Sequence, residues 1–218
     1  MSNQIKIRKS HIQLFVFVVL ILFVGVLVYS NWDKIKPDKT VAEVNGEKIK
    51  SEEIKKVQEA FNKQTGTEIN ESLAIEQLVS RKLLLQEAEK KGIHSSKEDV
   101  EIFLSEKLIE IGSNLDEFKV QVKNSGGDYS ELVEAYQEQL ILQKLVNQLS
   151  EEKEIFVSEQ EARQFYDKNG EIFEQGGEDT EFEIVKEQIM EVLLQQKQGE
   201  MISNQVEELR LNSTIVYY

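Results

Sequence analysis

A mainly α-helical protein carrying one small β element is what this sequence predicts, and three observations predict it. Proline occurs once in 218 residues, at Pro37, so helix is not barred by proline anywhere beyond that point. Apolar residues after Ser51 recur at three- and four-residue spacing, in stretches opened by capping residues and closed by glycine or lysine. Two β-prone stretches, residues 41–49 and 213–218, flank this helical region.

Ahead of them, residues 12–29 form an uncharged, almost wholly apolar run. At the rise of an α-helix such a run covers roughly 27 Å, enough to cross the hydrocarbon of a bilayer. Lys6, Arg8 and Lys9 precede it without an acidic residue among them, so residues 1–11 are expected to stay cytoplasmic and the rest to be exported. The run is longer than the apolar core of a signal peptide and lacks an Ala-x-Ala ending, which favours an uncleaved single-pass anchor over a cleaved leader. Residues 30–40 read as a polar spacer, and residues 41–218 as the exported domain.

The net charge is −14, and setting aside the three basic residues of 1–30 leaves −17 for residues 31–218. A surface this acidic repels phosphate backbones, which argues against a nucleic-acid partner. No cysteine is present, so disulfides contribute nothing and the exported part depends on its core.

The elements follow in order. Residues 41–49 alternate apolar and polar side chains around Asn45-Gly46, the dipeptide suited to the positive φ angles of a two-residue type I′ hairpin. Ser51 is placed to cap a helix with Glu52 and Glu53 in its first turn and Ile54, Val57 and Phe61 on one face, ending at Gly66. A second helix is expected over residues 70–91, with Leu73, Leu78, Leu84, Leu85 and Ala88 inward, as the centre of the core. Ser95 and Glu98 match a capping box for a third, whose apolar period runs through Val100, Phe103, Leu104, Leu108 and Ile111 to Gly112. A short amphipathic helix over 115–123 uses Phe118 and Val122, and Gly126-Gly127 breaks the chain before Asp128 and Glu131 open a long helix over Leu132, Tyr136, Leu140, Leu142, Val146 and Leu149. Ser158 and Glu161 cap the next helix, with Phe165 and Tyr166. After a polar, Gly-containing gap, the last helix takes Phe182, Val185, Ile189, Val192, Leu193, Ile202, Val206 and Leu209 to one side. A hairpin alone is marginal in water, so a strand over 214–217 is expected to join the first hairpin as its third strand and bring the two ends of the domain together.

The residue types that carry catalysis do not assemble. Two separated histidines, His11 and His94, without cysteine make no zinc site. Asp167, Asn169, Glu171 and Glu178 have calcium-loop spacing, but Ile172 stands where that loop requires glycine. The serines occupy caps or exposed positions without a base, the Glu-Glu pairs read as solvated helix faces, and Gly126-Gly127 and Gly176-Gly177 follow no strand-to-helix phosphate pattern. No cofactor, metal or catalytic residue is expected.

The hairpin Val41-Ala-Glu-Val-Asn-Gly-Glu-Lys-Ile49, the acidic-started helix after it, Gln77-Leu-Val-Ser-Arg-Lys-Leu-Leu-Leu-Gln-Glu-Ala88, Gly92 with its capped successor, Gln139-Leu-Ile-Leu-Gln-Lys-Leu145 and Val157-Ser-Glu-Gln-Glu-Ala-Arg-Gln-Phe-Tyr-Asp167 together resemble the SurA and PrsA family of exported chaperones. The resemblance covers most of residues 41–216 and lies in the ordered series, since each motif alone is common. It implies an N-terminal helical chaperone domain completed by a C-terminal helix and strand, here a discontinuous core of residues 41–168 and 180–218. Family members usually insert a parvulin-type prolyl isomerase of about 90 residues where this chain has only the short gap after Phe173. The histidines that the resemblance associates with such a domain are missing, so the implied protein is a chaperone without isomerase activity.

Two readings follow. The first is a membrane-anchored extracytoplasmic holdase for unfolded or newly exported polypeptides, with many weak apolar contacts and an acidic surface that keeps complexes soluble. Phe103, Phe118, Tyr129 and Tyr136 are the candidate substrate-binding residues, because the helices around Gly112 and Gly126-Gly127 are the least firmly bounded. The second is a membrane-anchored adaptor that docks one envelope or translocation partner, although the apolar repeat of the last helix breaks over 195–199, short of a sustained coiled coil.

Overall fold

The computed structural model describes residues 39–175, 178–179 and 181–218. The anchor expected at residues 12–29 lies outside the described residues. Among those described, no helix is long and apolar enough to cross a membrane. The described chain falls into two compact units, one of residues 39–145 with 205–218 and the other of residues 146–204.

The first unit begins with β1 (Thr40–Val44) and β2 (Glu47–Lys50), paired antiparallel with Val44 opposite Glu47 and Ala42 opposite Ile49. Asn45 and Gly46 adopt φ of 52° and 92°, the left-handed pair that the Asn-Gly turn requires. A register shift between Thr40 and Ala42 lets the consecutive Val41 and Ala42 both be buried, which strict alternation forbids. The C-terminal strand β5 (Ile215–Tyr217) pairs antiparallel with β1, giving the order β2-β1-β5. The expected third strand is therefore present.

Helices α1 (Ser51–Thr65) and α2 (Glu71–Lys90) share a core with this sheet. Val41, Ala42, Val44, Ile49, Ile54, Val57, Ile69, Ala74, Leu78, Val79 and Leu83 are buried together, with Leu209 and Ile215 packed against them. Ser51 proves to be the first helical residue rather than the cap; the first turn is closed by Glu53, whose carboxylate accepts the Lys50 N–H at 2.8 Å. Asn70 caps α2 by accepting the Leu73 N–H at 2.8 Å. Leu73, expected inward, is 41% exposed, because it sits in the first turn, off the stripe defined by Ala74, Leu78 and Val79.

The same unit continues with α3 (Lys97–Glu110), α4 (Leu115–Asn124) and the first part of α5 (Tyr129–Glu152). The cap of α3 is Ser96 with Asp99, one residue beyond the expected Ser95 and Glu98: the Ser96 hydroxyl accepts the Asp99 N–H and the Asp99 carboxylate accepts the Ser96 N–H. Val100, Leu104 and Leu108 are buried, as their period predicts. Ile111, expected inward, lies past the last helical residue and is exposed.

In the second unit, Ser158 and Glu161 form the expected capping box of α6 (Glu159–Lys168). The gap after it carries, in its described residues, secondary structure that its polarity does not predict. It holds the one-turn α7 (Gly170–Phe173) and a minimal antiparallel pair, β3 (Glu174–Gln175) and β4 (Glu178–Asp179), before α8 (Phe182–Leu211). Phe173 stacks on Tyr166 at 5.1 Å between centroids, and Phe182 meets Tyr166 edge-on at 5.6 Å. These rings cover Ala162, Val185 and Ile189, and that aromatic packing anchors the short turn through Phe173.

Candidate functional site

The four aromatics singled out from the sequence come together. Val100, Leu104, Leu108, Val133 and Leu140 form a buried core between α3 and α5, and Phe103, Phe118, Tyr129 and Tyr136 all pack against it, half-buried. Phe103 and Tyr136 lie 6.0 Å apart between ring centroids with planes tilted by 49°. Each side chain is thus partly buried against the core and partly exposed, a lobe of apolar surface built on two helices and a short third.

The lobe is held by sequence features of its turns. Gly127 N–H donates to Val122 O at 2.7 Å, and a Cβ at position 127 would meet Val122 Cγ1 at 2.7 Å, so glycine is what allows α5 to start this close to α4. At the other end, the Lys144 ammonium donates to Asp99 at 2.9 Å and to the His94 carbonyl at 3.0 Å, and Gln137 donates to the Ser95 carbonyl at 2.9 Å. The Lys144 hydrogen bond, with the Ser96 N–H behind it, keeps the Asp99 carboxyl below its usual range.

Tyr129 sits in a small charged frame. Its hydroxyl donates to Glu101 Oε1 at 3.3 Å, Lys119 pairs with the same oxygen at 3.0 Å, and the Lys119 and Lys97 ammonium groups lie 5.0 and 6.0 Å from the ring centroid. Burial, reinforced by the Glu101 charge and hydrogen bond, pushes the Tyr129 phenol up to about 12. The Lys119 hydrogen bond in turn lowers Glu101. Burial alone raises Tyr136. None of these groups is arranged around a nucleophile, and among the described residues no group of three His, Cys, Asp or Glu side chains is placed to hold a metal ion.

Sequence reasoning missed two exposed isoleucines of α3, Ile102 and Ile109, and placed a third, Ile111, inward where it is exposed. A signal existed: positions 102 and 109 are seven apart and fall opposite Val100, Leu104 and Leu108 on a helical wheel.

A helical module whose last helix and strand return to complete its first hairpin, with a half-buried aromatic lobe and without a catalytic constellation among the described residues, is the class that this fold and surface define. The sequence matches the family described as the SurA-like N-terminal domain over residues 3–124. The chain belongs to that family. It is similar to curated proteins named foldase protein PrsA from Clostridium botulinum. The protein from strain 657 / Type Ba4 is 25% identical over 183 residues, covering 71% of this chain and 54% of that protein. The one from strain Loch Maree / Type A3 is 26% identical over the same extent. The chain thus spans about half the length of these relatives. Among solved structures, it is similar to a chain from the work on PEB4 and Cj1289, described as two structurally related SurA-like chaperones of Campylobacter jejuni. The TM-score is 0.61 at 13% identity, covering 83% of this chain and 99% of that chain, a likeness of fold. No parvulin domain is present in these 218 residues, where only eight residues separate Phe173 from Phe182.

Proposed function

We propose that this protein is a membrane-displayed chaperone that holds unfolded or newly exported polypeptides outside the cytoplasm without isomerising them. In this reading residues 12–29 span the bilayer with residues 1–11 cytoplasmic, residues 30–40 are the spacer, and residues 41–218 are the working domain. The observation that carries it is the meeting of Phe103, Phe118, Tyr129 and Tyr136 over one core between α3 and α5. Half-buried rings offer apolar surface at little entropic cost, since the core already fixes their rotamers. A client segment covers the exposed edges, and the contacts are individually weak and indifferent to sequence. The family membership and the PrsA relatives support a role in the folding of other polypeptides.

The test uses the full chain held in phosphatidylcholine nanodiscs, with empty nanodiscs as control. It is expected to suppress aggregation of a chemically unfolded client and to leave the rate of prolyl cis/trans exchange in a peptide unchanged. Failure to suppress at stoichiometric excess refutes the holding activity, and accelerated exchange refutes its non-enzymatic character. Crosslinking in cells is expected to give many minor products; one dominant product marks an adaptor instead.

A further inference from the structure

We propose that the outward face of α3 is a docking strip for polypeptide segments that interleave apolar side chains with lysine or arginine. The proposal rests on the chaperone reading and names the class of client that this face selects.

Val100, Leu104 and Leu108 define the buried side of α3. At 100° per residue, Ile102, Glu106 and Ile109 fall on the opposite side, with Glu98 one turn before Ile102. Ile102 is 54% exposed and Ile109 72% exposed, and Ile111 at the end of the helix is 77% exposed. Single exposed isoleucines are ordinary. A pair repeated at seven residues, about 10.5 Å apart along the axis and alternating with exposed carboxylates at 98 and 106, is a half-built helix-packing seam.

Charge decides the occupant. Of the nearby cations, Lys107 pairs with Glu110 at 2.8 Å and also feels the Glu106 charge, and Lys97 lies over the Tyr129 ring, while the Glu98 and Glu106 side chains are both exposed. The strip therefore presents carboxylates between its apolar side chains, and a segment with ammonium or guanidinium groups flanking apolar residues matches both features. A second copy of this chain is disfavoured, because it brings the same acidic strip and a net charge of −14 to the contact.

The experiment measures fluorescence anisotropy of labelled 15-residue peptides with the full chain in phosphatidylcholine nanodiscs. The wild type is expected to bind a leucine–lysine peptide, and to bind peptides with glutamate for lysine, or serine for leucine, at least about tenfold more weakly. The exposed double variants I102S/I109S and E98Q/E106Q, which leave the buried face untouched, are each expected to weaken the leucine–lysine peptide, the first about tenfold. Equal binding of the glutamate peptide, or unaltered binding by both variants, overturns the proposal. Concentration-dependent dimerisation of the wild type that I102S/I109S abolishes overturns it in favour of a second copy. Aggregation suppression read in parallel separates the two claims: suppression that survives loss of peptide selectivity leaves the chaperone standing without the strip, and selective peptide binding without suppression leaves the strip standing without the chaperone.

Discussion

Replacing Asn45 with alanine tests whether the two ends of the described chain are held by the turn that the first hairpin makes. The Asn45 side chain donates to Gln86 Oε1 at 2.8 Å and to Ser213 Oγ at 3.1 Å, and accepts the Thr214 N–H at 2.9 Å, while its own N–H donates to Thr214 O at 2.8 Å. One residue thus joins the hairpin to α2 and to the approach of β5. Three side-chain hydrogen bonds at an exposed position are worth about 0.5 kcal/mol each, the low end of the usual range. Alanine at φ 52° adds about 1 kcal/mol of left-handed strain that asparagine tolerates better. The sum is about 2–3 kcal/mol, a large part of a marginal stability. Asn45→Gly relieves the backbone term and loses only the hydrogen bonds, so it should fall by about 1.5 kcal/mol. Urea unfolding of both variants reads the two terms, and amide exchange at Thr214 and Tyr218, whose N–H groups bond Asn45 Oδ1 and Val41 O, localises the effect. A wild-type urea midpoint and unchanged exchange at Thr214 in Asn45→Ala would refute the clasp.

Three further outcomes are expected. Ile49 is fully buried beneath the sheet, so Ile49→Ala should cost about 2–5 kcal/mol in a urea titration, and a loss under about 1 kcal/mol would mean that the sheet core collapses around the gap. Glu161 is lowered from 4.5 to about 2, first by its Lys197 hydrogen bond at 2.6 Å and then by the Ser158 N–H and hydroxyl. A depressed folded-state value stabilises the fold above about pH 4.5 and loses that effect as pH falls toward about 2. Glu161→Gln should therefore be less stable than wild type at neutral pH and converge with it across that window; a pH-independent gap contradicts the assignment. Tyr129 should ionise near 12 by phenolate absorbance, and Glu101→Gln should lower it only part of the way, because burial, the largest cause, remains; its raised value favours the fold below about pH 10, an effect lost as pH rises through about 12. No change in the variant would leave burial as the whole cause.

Much of this fold was legible because its signals are local. Asn45-Gly46 has few alternatives to a type I′ turn, Ser158 with Glu161 is a capping box by spacing alone, and the apolar period placed Leu78, Leu84 and Ala88 of α2 inward, although Val79 and Leu83 are buried rather than Leu73 and Leu85. Errors arose where two local solutions differ little. Ser95 and Ser96 offer equivalent hydroxyls, and Asp99 settled the cap at Ser96. After Asn169, the one-turn α7 is held by Phe173 reaching Tyr166, a contact that periodicity does not encode. The site was half legible: the four aromatics were chosen from the glycines around them, while the frame of Lys97, Lys119 and Glu101 and the exposed isoleucines depend on which face of α3 turns inward.

By itself the sequence determined the hairpin, the long helices, the acidic surface and the three-stranded completion of the sheet, because turn chemistry, charge and apolar period act over a few residues. Tertiary structure alone decided which apolar side chains remain outside. Burial depends on what packs against a helix, and Ile109 carries the same side chain as Ile49 yet lies open where Ile49 is sealed, because β2 is covered by the core and the outward face of α3 is not.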